Sequence, residues 1–240
     1  MYKNVLERYL QKYSLNGNVN SVVMDIKDKK ANCRFKTQDN SMLGEVKLNK
    51  IELDDFKLGI LDTAGLQKML NIMDDNITIQ VKKAGNKPYQ LKINDNNVKA
   101  TFALADLNIF EEPPTLKKIP KWSLEQTLTN KEIQLFVKSK NALSHVESFA
   151  VVNENNQPEI IIGWKRISSN TITIPLQNSD HSDLFSHVLF NADIVRDIFV
   201  ANKESKTAKM FVSKDGLLKL SFEVDNFQST YYVSACKGDD

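Results

Sequence analysis

The stretch ITIQVKKAGNKPYQLKINDNNVKATFALA, residues 77–105, returns in kind as VSKDGLLKLSFEVDNFQSTYYVSAC, residues 212–236. In both, apolar residues recur at alternate positions on either side of a turn that holds a glycine, the pattern of antiparallel hairpins with one buried face. A chain of 240 residues that writes this passage twice can fold as one large β domain or as two domains of about 120 residues.

The helical segments favour two domains. YKNVLERYLQKY places Val5, Leu6, Tyr9, Leu10 and Tyr13 on one helical face, and TAGLQKMLNIM places Leu66, Met69, Leu70 and Met73 on another. Later, NKEIQLFVKSKNAL carries Ile133, Phe136 and Val137 inward, and ADIVRDIFVANK carries Ile194, Val195, Ile198 and Phe199. Leu66, Met69 and Leu70 match Val195, Ile198 and Phe199 at a constant offset of 129 (195 minus 66, 198 minus 69, 199 minus 70). Leu6, Tyr9 and Leu10 match Ile133, Phe136 and Val137 at an offset of 127. The difference of two is what a change in loop length produces. Asp62 and Asn191 stand as N-caps before the second helix of each half.

Strand patterns fill the intervals at 21–27, 31–37, 42–48, 56–61, 77–83, 89–94 and 98–104, then at 147–153, 159–166, 171–177, 206–214, 217–224 and 227–236. LNGN, residues 15–18, ends the first helix. Between the halves, ADLNIFEEPPTLKKIPK holds three of the six prolines and has neither helical nor strand period. Its apolar members exceed what a solvated spacer needs, so it is expected to lie along a surface. The domains are therefore expected at 1–106 and 122–240, with a connector at 107–121, in an α+β fold of two similar domains, each with two helices packed on antiparallel sheet.

Catalytic and metal signatures are scarce. His145, His181 and His187 stand in no metal-ligand spacing with one another or with a cysteine. The acid pairs Asp54-Asp55, Asp74-Asp75, Glu111-Glu112 and Asp239-Asp240 diverge in direction and read as solvated loop or cap positions. No Gly-rich phosphate loop occurs, and Asp215-Gly216 is a hairpin turn. Cys33 and Cys236 read as reduced, packed thiols rather than a disulfide framework. No enzyme activity, cofactor or metal is expected. The amphipathic, charged first helix is no signal peptide, and no apolar run approaches the roughly 20 residues that span a bilayer, so a cytoplasmic protein without membrane partners is expected.

Charge speaks through its distribution. The 32 basic residues barely exceed the 30 acidic ones, leaving a net charge of +2. Basic residues nevertheless gather on the helices, at Lys3, Arg8, Lys12, Lys68, Lys131, Lys138, Lys140, Arg196 and Lys203, with fewer acids among them: Glu7, Glu132, Asp193 and Asp197. Long charged side chains also solubilise helix faces, so any one of these lysines means little. Over four helices of a duplicated plan, a shared basic surface becomes credible.

The repeated helix, strands, helix, strands plan, with its Pro-containing connector, resembles the DNA polymerase sliding clamps, the two-domain type of tailed phages and of the eukaryotic and archaeal replication clamps. FKLGILDTAGLQKMLNIMDDNITIQ and KDGLLKLSFEVDNFQSTYYVSA carry the local likeness. The resemblance implies a closed homotrimeric ring, a processivity factor whose twelve helices line a central hole around duplex DNA. The nine basic residues named above would face the phosphates without reading bases. It implies the replicative DNA polymerase as a partner, tethered for processive synthesis, and an ATP-driven clamp loader, in the host cytoplasm if the chain is phage-encoded. Partner peptides would enter an apolar pocket beside the connector. The matching positions are Leu107, Ile109, Phe110, Leu116 and Ile119, with Tyr231, Tyr232 and Val233 and with Met42 and Leu43 as walls. Subunit contacts fall by the same plan on VKATFAL and TITIPL. The connector sequence itself follows no family pattern residue by residue. A duplicated β-rich structural or protein-interaction module, and a monomeric nucleic-acid enzyme with a divergent site, remain as alternatives.

Overall fold

A computed structural model describes residues 2–164, 170–177, 179 and 181–236. Four helices, α1 (Lys3–Ser14), α2 (Thr63–Asn71), α3 (Asn130–Ala142) and α4 (Ala192–Ala201), alternate with sixteen strands. The first seven are β1 (Val22–Lys27), β2 (Lys30–Lys36), β3 (Met42–Leu48), β4 (Phe56–Ile60), β5 (Thr78–Ala84), β6 (Lys87–Asn94) and β7 (Lys99–Ala103). The other nine are β8 (Leu124–Thr129), β9 (Ser148–Asn153), β10 (Glu159–Ile162), β11 (Ile172–Pro175), β12 (His181–Ser182), β13 (Phe185–Asn191), β14 (Thr207–Ser213), β15 (Leu217–Val224) and β16 (Phe227–Ser234).

The chain divides into two compact units. Unit 1 comprises residues 1–38, 44–114 and 225–229; unit 2 comprises 39–43, 115–224 and 230–240. The division between 114 and 115 falls inside the segment read as a connector. Two short exchanges depart from a simple cut: the start of β3 counts with unit 2 and the start of β16 with unit 1.

Unit 1 holds α1 beside α2, a sheet ordered β4-β1-β2-β3 with the first residues of β16 next to β3, and a second sheet ordered β5-β6-β7. Strand alternation sets the core: Val22, Met24 and Ile26 of β1 and Ala31, Cys33 and Phe35 of β2 are buried, while their neighbours in sequence point outward. Tyr9 and Tyr13 of α1 pack edge to face at 5.9 Å, and Tyr13 meets the Phe35 ring at 6.2 Å. The Tyr13 hydroxyl lies 3.0 Å from Thr63 Oγ1, linking α1 to the first turn of α2. Asp62 caps α2, its Oδ1 accepting from the Gly65 amide at 2.9 Å. Leu15 and Asn16 adopt positive φ and close α1 where the sequence places its stop.

Unit 2 repeats the plan with α3 beside α4, a sheet ordered β12-β8-β14-β15-β16 and a second ordered β11-β10-β9-β13. Its core is a chain of aromatic rings. Phe136 of α3 packs edge to face on Phe149 (5.0 Å) and Phe199 (5.3 Å), and Phe199 reaches Phe222, which reaches Tyr231. Asn191 caps α4 by accepting from the Ile194 amide at 2.9 Å, and Thr129 with Glu132 forms a capping box on α3. The Asp215-Gly216 turn joins β14 to β15, with Gly216 at φ +92°.

Three strands, β8, β12 and β13, lie outside the strands read from the sequence. β8 escapes because its middle inward residue is Gln126, which is buried and satisfied: its Nε2 donates to Gln177 O at 3.0 Å and its Oε1 accepts from Ser179 Oγ at 2.8 Å. The strand read at 159–166 ends at Ile162, followed by a turn in which Gly163 has φ +87°. Residues 165–166 of that reading, and Asp239-Asp240, lie outside the described residues.

From Ala105 to Pro114 the segment between the halves is tied down within unit 1. The Ala105 amide donates to Gly59 O at 2.9 Å, Arg34 Nη2 donates to the carbonyls of Pro113 (3.0 Å) and Pro114 (2.9 Å), and Lys36 pairs with Glu111 at 3.1 Å. Gly59 makes this possible, since a Cβ there would lie 2.5 Å from Ala105 O and 2.7 Å from the Phe110 ring.

Candidate nucleic-acid interface

The candidate surface is the set of helix faces turned away from the two cores. On α1 the apolar stripe Leu6, Tyr9, Leu10 and Tyr13 is buried, leaving Asn4 and Gln11 exposed and Lys3, Glu7 and Arg8 half-buried. Lys3 Nζ donates to Met73 O at 2.7 Å and lies 4.0 Å from Glu7. Arg8 donates to Asp225 Oδ2 at 2.8 Å, with its guanidinium carbon 4.7 Å from the Phe227 ring centroid. Lys12, read as outward-facing, is fully buried, with its ammonium 5.3 Å from the same ring centroid. The β16 aromatic covers it, which no spacing within α1 discloses.

Lys68 is exposed in the last turn of α2, beside exposed Asn71. Lys131 and Lys138 are exposed on α3, sharing that face with Gln134, Leu135 and Asn141. Lys140 is the second departure from expectation. It is fully buried, donating to Ser144 O at 3.0 Å and pairing with Asp193 Oδ1 at 3.0 Å. On α4, Arg196 pairs with Asp193 at 2.7 Å and with Asp197 at 2.9 Å. Asp193 thus binds two of the expected DNA contacts, Lys140 and Arg196. Lys203 is exposed just after α4.

Of the nine cations, two are sealed in the core and three are engaged by carbonyl or carboxylate groups, leaving Lys68, Lys131, Lys138 and Lys203 as exposed ammonium groups with no carboxylate within 4.0 Å among the described residues. The rest of the exposed helix surface is mainly amide side chains. Such a face offers scattered charge and many neutral donors, which suits contact with a phosphate backbone and gives no fixed geometry for reading bases.

The apolar positions named for a partner pocket separate by burial. Met42, Tyr231 and Val233 are fully buried, so they serve the core of unit 2 and are no pocket wall. The Tyr231 hydroxyl accepts from Asn202 Nδ2 at 3.0 Å. Strand alternation leaves Leu43 and Tyr232 half-buried. Leu107, Ile109 and Ile119 are exposed by 37%, 58% and 48%, and Phe110 and Leu116 are half-buried. The burial of Cys33 pushes its thiol up to about 12, as expected of an inert packed cysteine. No group of three or more potential metal-ligating side chains occurs among the described residues, and no helix there is long and apolar enough to cross a membrane.

No protein-family model matches the chain, and no curated protein matches it in sequence. Solved structures do match in fold. The structure of the C-terminal region of FEN-1 bound to A. fulgidus PCNA matches with a TM-score of 0.79 at 12% identity, over 100% of this chain and 98% of that one. The PCNA2–PCNA3 complex of Sulfolobus tokodaii matches with a TM-score of 0.75 at 11% identity, over 98% of this chain and 97% of that one. The proliferating cellular nuclear antigen of Entamoeba histolytica matches with a TM-score of 0.75 at 13% identity, over 98% and 96%. The chain has the PCNA-like fold along nearly its whole length.

Proposed function

We propose that this chain is a sliding clamp, a non-enzymatic processivity factor that encircles duplex DNA and tethers a replicative polymerase. The match to the PCNA fold over 100% of this chain and 98% of that one carries the reading. The domains would be 1–106 and 122–240 about a connector at 107–121.

Strand order supports a ring. β7 of unit 1 and β11 of unit 2 are both edge strands of their sheets. Pairing β7 of one protomer with β11 of the next would protect both edges. Pro175 at the end of β11 is compatible with an edge position. Three protomers would supply twelve helices, with Lys68, Lys131, Lys138 and Lys203 toward the phosphates. Leu107, Ile109, Phe110, Leu116 and Ile119 would offer the apolar contacts for partner peptides, including those of the polymerase and of an ATP-driven loader. Such a protein works in the cytoplasm, the host's if the chain is phage-encoded.

Light scattering after size exclusion tests the assembly. The expected mass is about 82 kDa, three times 27.3 kDa, and a strict monomer at micromolar concentration would favour the protein-interaction module. The quadruple variant Lys68→Ala, Lys131→Ala, Lys138→Ala, Lys203→Ala is expected to keep that mass and to shorten primer extension at moderate salt. Unchanged extension would put the wrong face against DNA.

A further inference from the structure

β5 is the edge of its sheet. Its one strand neighbour is β6, and among the described residues its other side is met only by the bridge between Tyr2 and Asn76, just before the strand begins. In unit 2 the matching strand is β14, and there β8 runs antiparallel along that side from Thr129↔Thr207 to Leu124↔Val212. The hairpin turns fix the match: Gly216, Met210 and Val212 stand 131 residues after Gly85, Ile79 and Val81 (216 minus 85, 210 minus 79, 212 minus 81). Covered by β8, Met210 and Val212 are 2% and 0% exposed, whereas Ile79 and Val81 are only half-buried. β5 therefore presents an open main-chain edge together with apolar side chains that one more strand would cover.

The surrounding charge selects what that strand carries. Residues 77–104 contain five lysines and one acid, Asp95. Lys82, Lys92 and Lys99 share one face of the sheet, as the registers Lys82↔Gln90, Gln80↔Lys92 and Asn94↔Lys99 require. None has a carboxylate within 4.0 Å among the described residues, in contrast to Lys87, which pairs with Asp106 at 3.4 Å. Lysines on this face also guard the edge against a second copy of itself, since pairing β5 with β5 would set like charges side by side. The register shift between Lys82 and Lys83 ends the regular ladder there. Tyr2, 65% exposed, lies at the start of the strand through its bridge to Asn76.

We infer that the edge of β5 from Thr78 to Lys82 receives an extended acidic segment of a partner protein, added as an antiparallel strand. Its apolar residues cover Ile79 and Val81, as Leu124 and Leu128 of β8 cover β14, and its carboxylates meet Lys82 and Lys92, the two lysines of that face nearest the edge. A nucleic acid would satisfy the lysines but leave the main-chain edge unpaired. The site is separate from β7 and β11, so ring assembly can succeed or fail without it.

The probe is a fluorescein-labelled peptide of alternating glutamate with leucine or valine, titrated into the full chain and followed by anisotropy and hydrogen exchange. Binding is expected with new protection confined to amides between 78 and 82. Lys82→Glu and Lys92→Glu together should weaken it by about fivefold or more, the scale of two reversed charge pairs on the sheet. Methylating alternate peptide nitrogens should abolish it. Any of four results overturns the inference: no anisotropy change at millimolar peptide, binding indifferent to N-methylation, protection on β7 instead of β5, or a single-stranded oligonucleotide that takes up Lys82 and Lys92 while the peptide does not bind.

Discussion

Units 1 and 2 build the same plan around different cores. In unit 1 the rings at the centre are tyrosines, and a hydroxyl contact between Tyr13 and Thr63 fastens one helix to the other. In unit 2 the corresponding space is filled by Phe136, Phe149, Phe190 and Phe199, which meet one another only through their rings. The duplication is therefore preserved as the placement of apolar volume at helical and strand spacing, while the chemistry inside that volume is free to differ. Helix starts differ too: α3 has a reciprocal capping box, whereas α1 begins at Tyr2 with no side-chain cap.

Substitutions can break this comparison. Phe136→Ala has the largest expected effect, about 3–5 kcal/mol, from lost burial and an unfilled cavity beside the Phe149 and Phe199 rings. Hydrogen exchange should then rise in the amides of unit 2, and equal loosening of unit 1 would show that the two cores are not separable. Tyr13→Phe tests the polar fastening. It removes a buried hydroxyl partner of Thr63 and should cost about 1–2 kcal/mol by chemical denaturation. A stability equal to the parent's would mean that the Tyr13–Thr63 contact does not fasten the two helices. Thr129→Ala should cost about 1 kcal/mol by unmaking the α3 box, whereas Tyr2→Ala, at an uncapped start, should change helix content by less. The smallest effect is read without any mutation. Cys33 in unit 1 should resist alkylation at pH 8 in the folded chain while Cys236, half-exposed in unit 2, reacts first. Because burial raises the Cys33 pKa from 9.0 to about 12, folding keeps the neutral thiol. That contribution is complete below pH 9 and is lost as pH rises toward 12. Equal labelling rates at pH 8 would contradict the burial.

Much of this was legible in the sequence because it is local. Period and caps give all four helices, with Asp62 and Asn191 binding the amides their positions predict. Alternation gives most strands. What stayed hidden depends on residues far apart in the chain. Lys12 reads as solvated until Phe227 is laid over it, and Lys140 until Asp193 arrives from another helix. Alternation requires that one of Tyr231 and Tyr232 point inward but not which; the bond between Asn202 and Tyr231 decides it. β8 has the right period but a glutamine in its middle, and only Gln177 and Ser179 make that residue acceptable inside.

At Gly59 the absence of a side chain sets how the segment leaving unit 1 is moored. The Phe110 ring and the Ala105 carbonyl both come closer to this backbone than a methyl group would permit. One added carbon, in Gly59→Ala, would work as a latch release. The sheet would persist while residues 105–110 lift from it, and a protease would find there a cleavage site that the parent chain keeps closed.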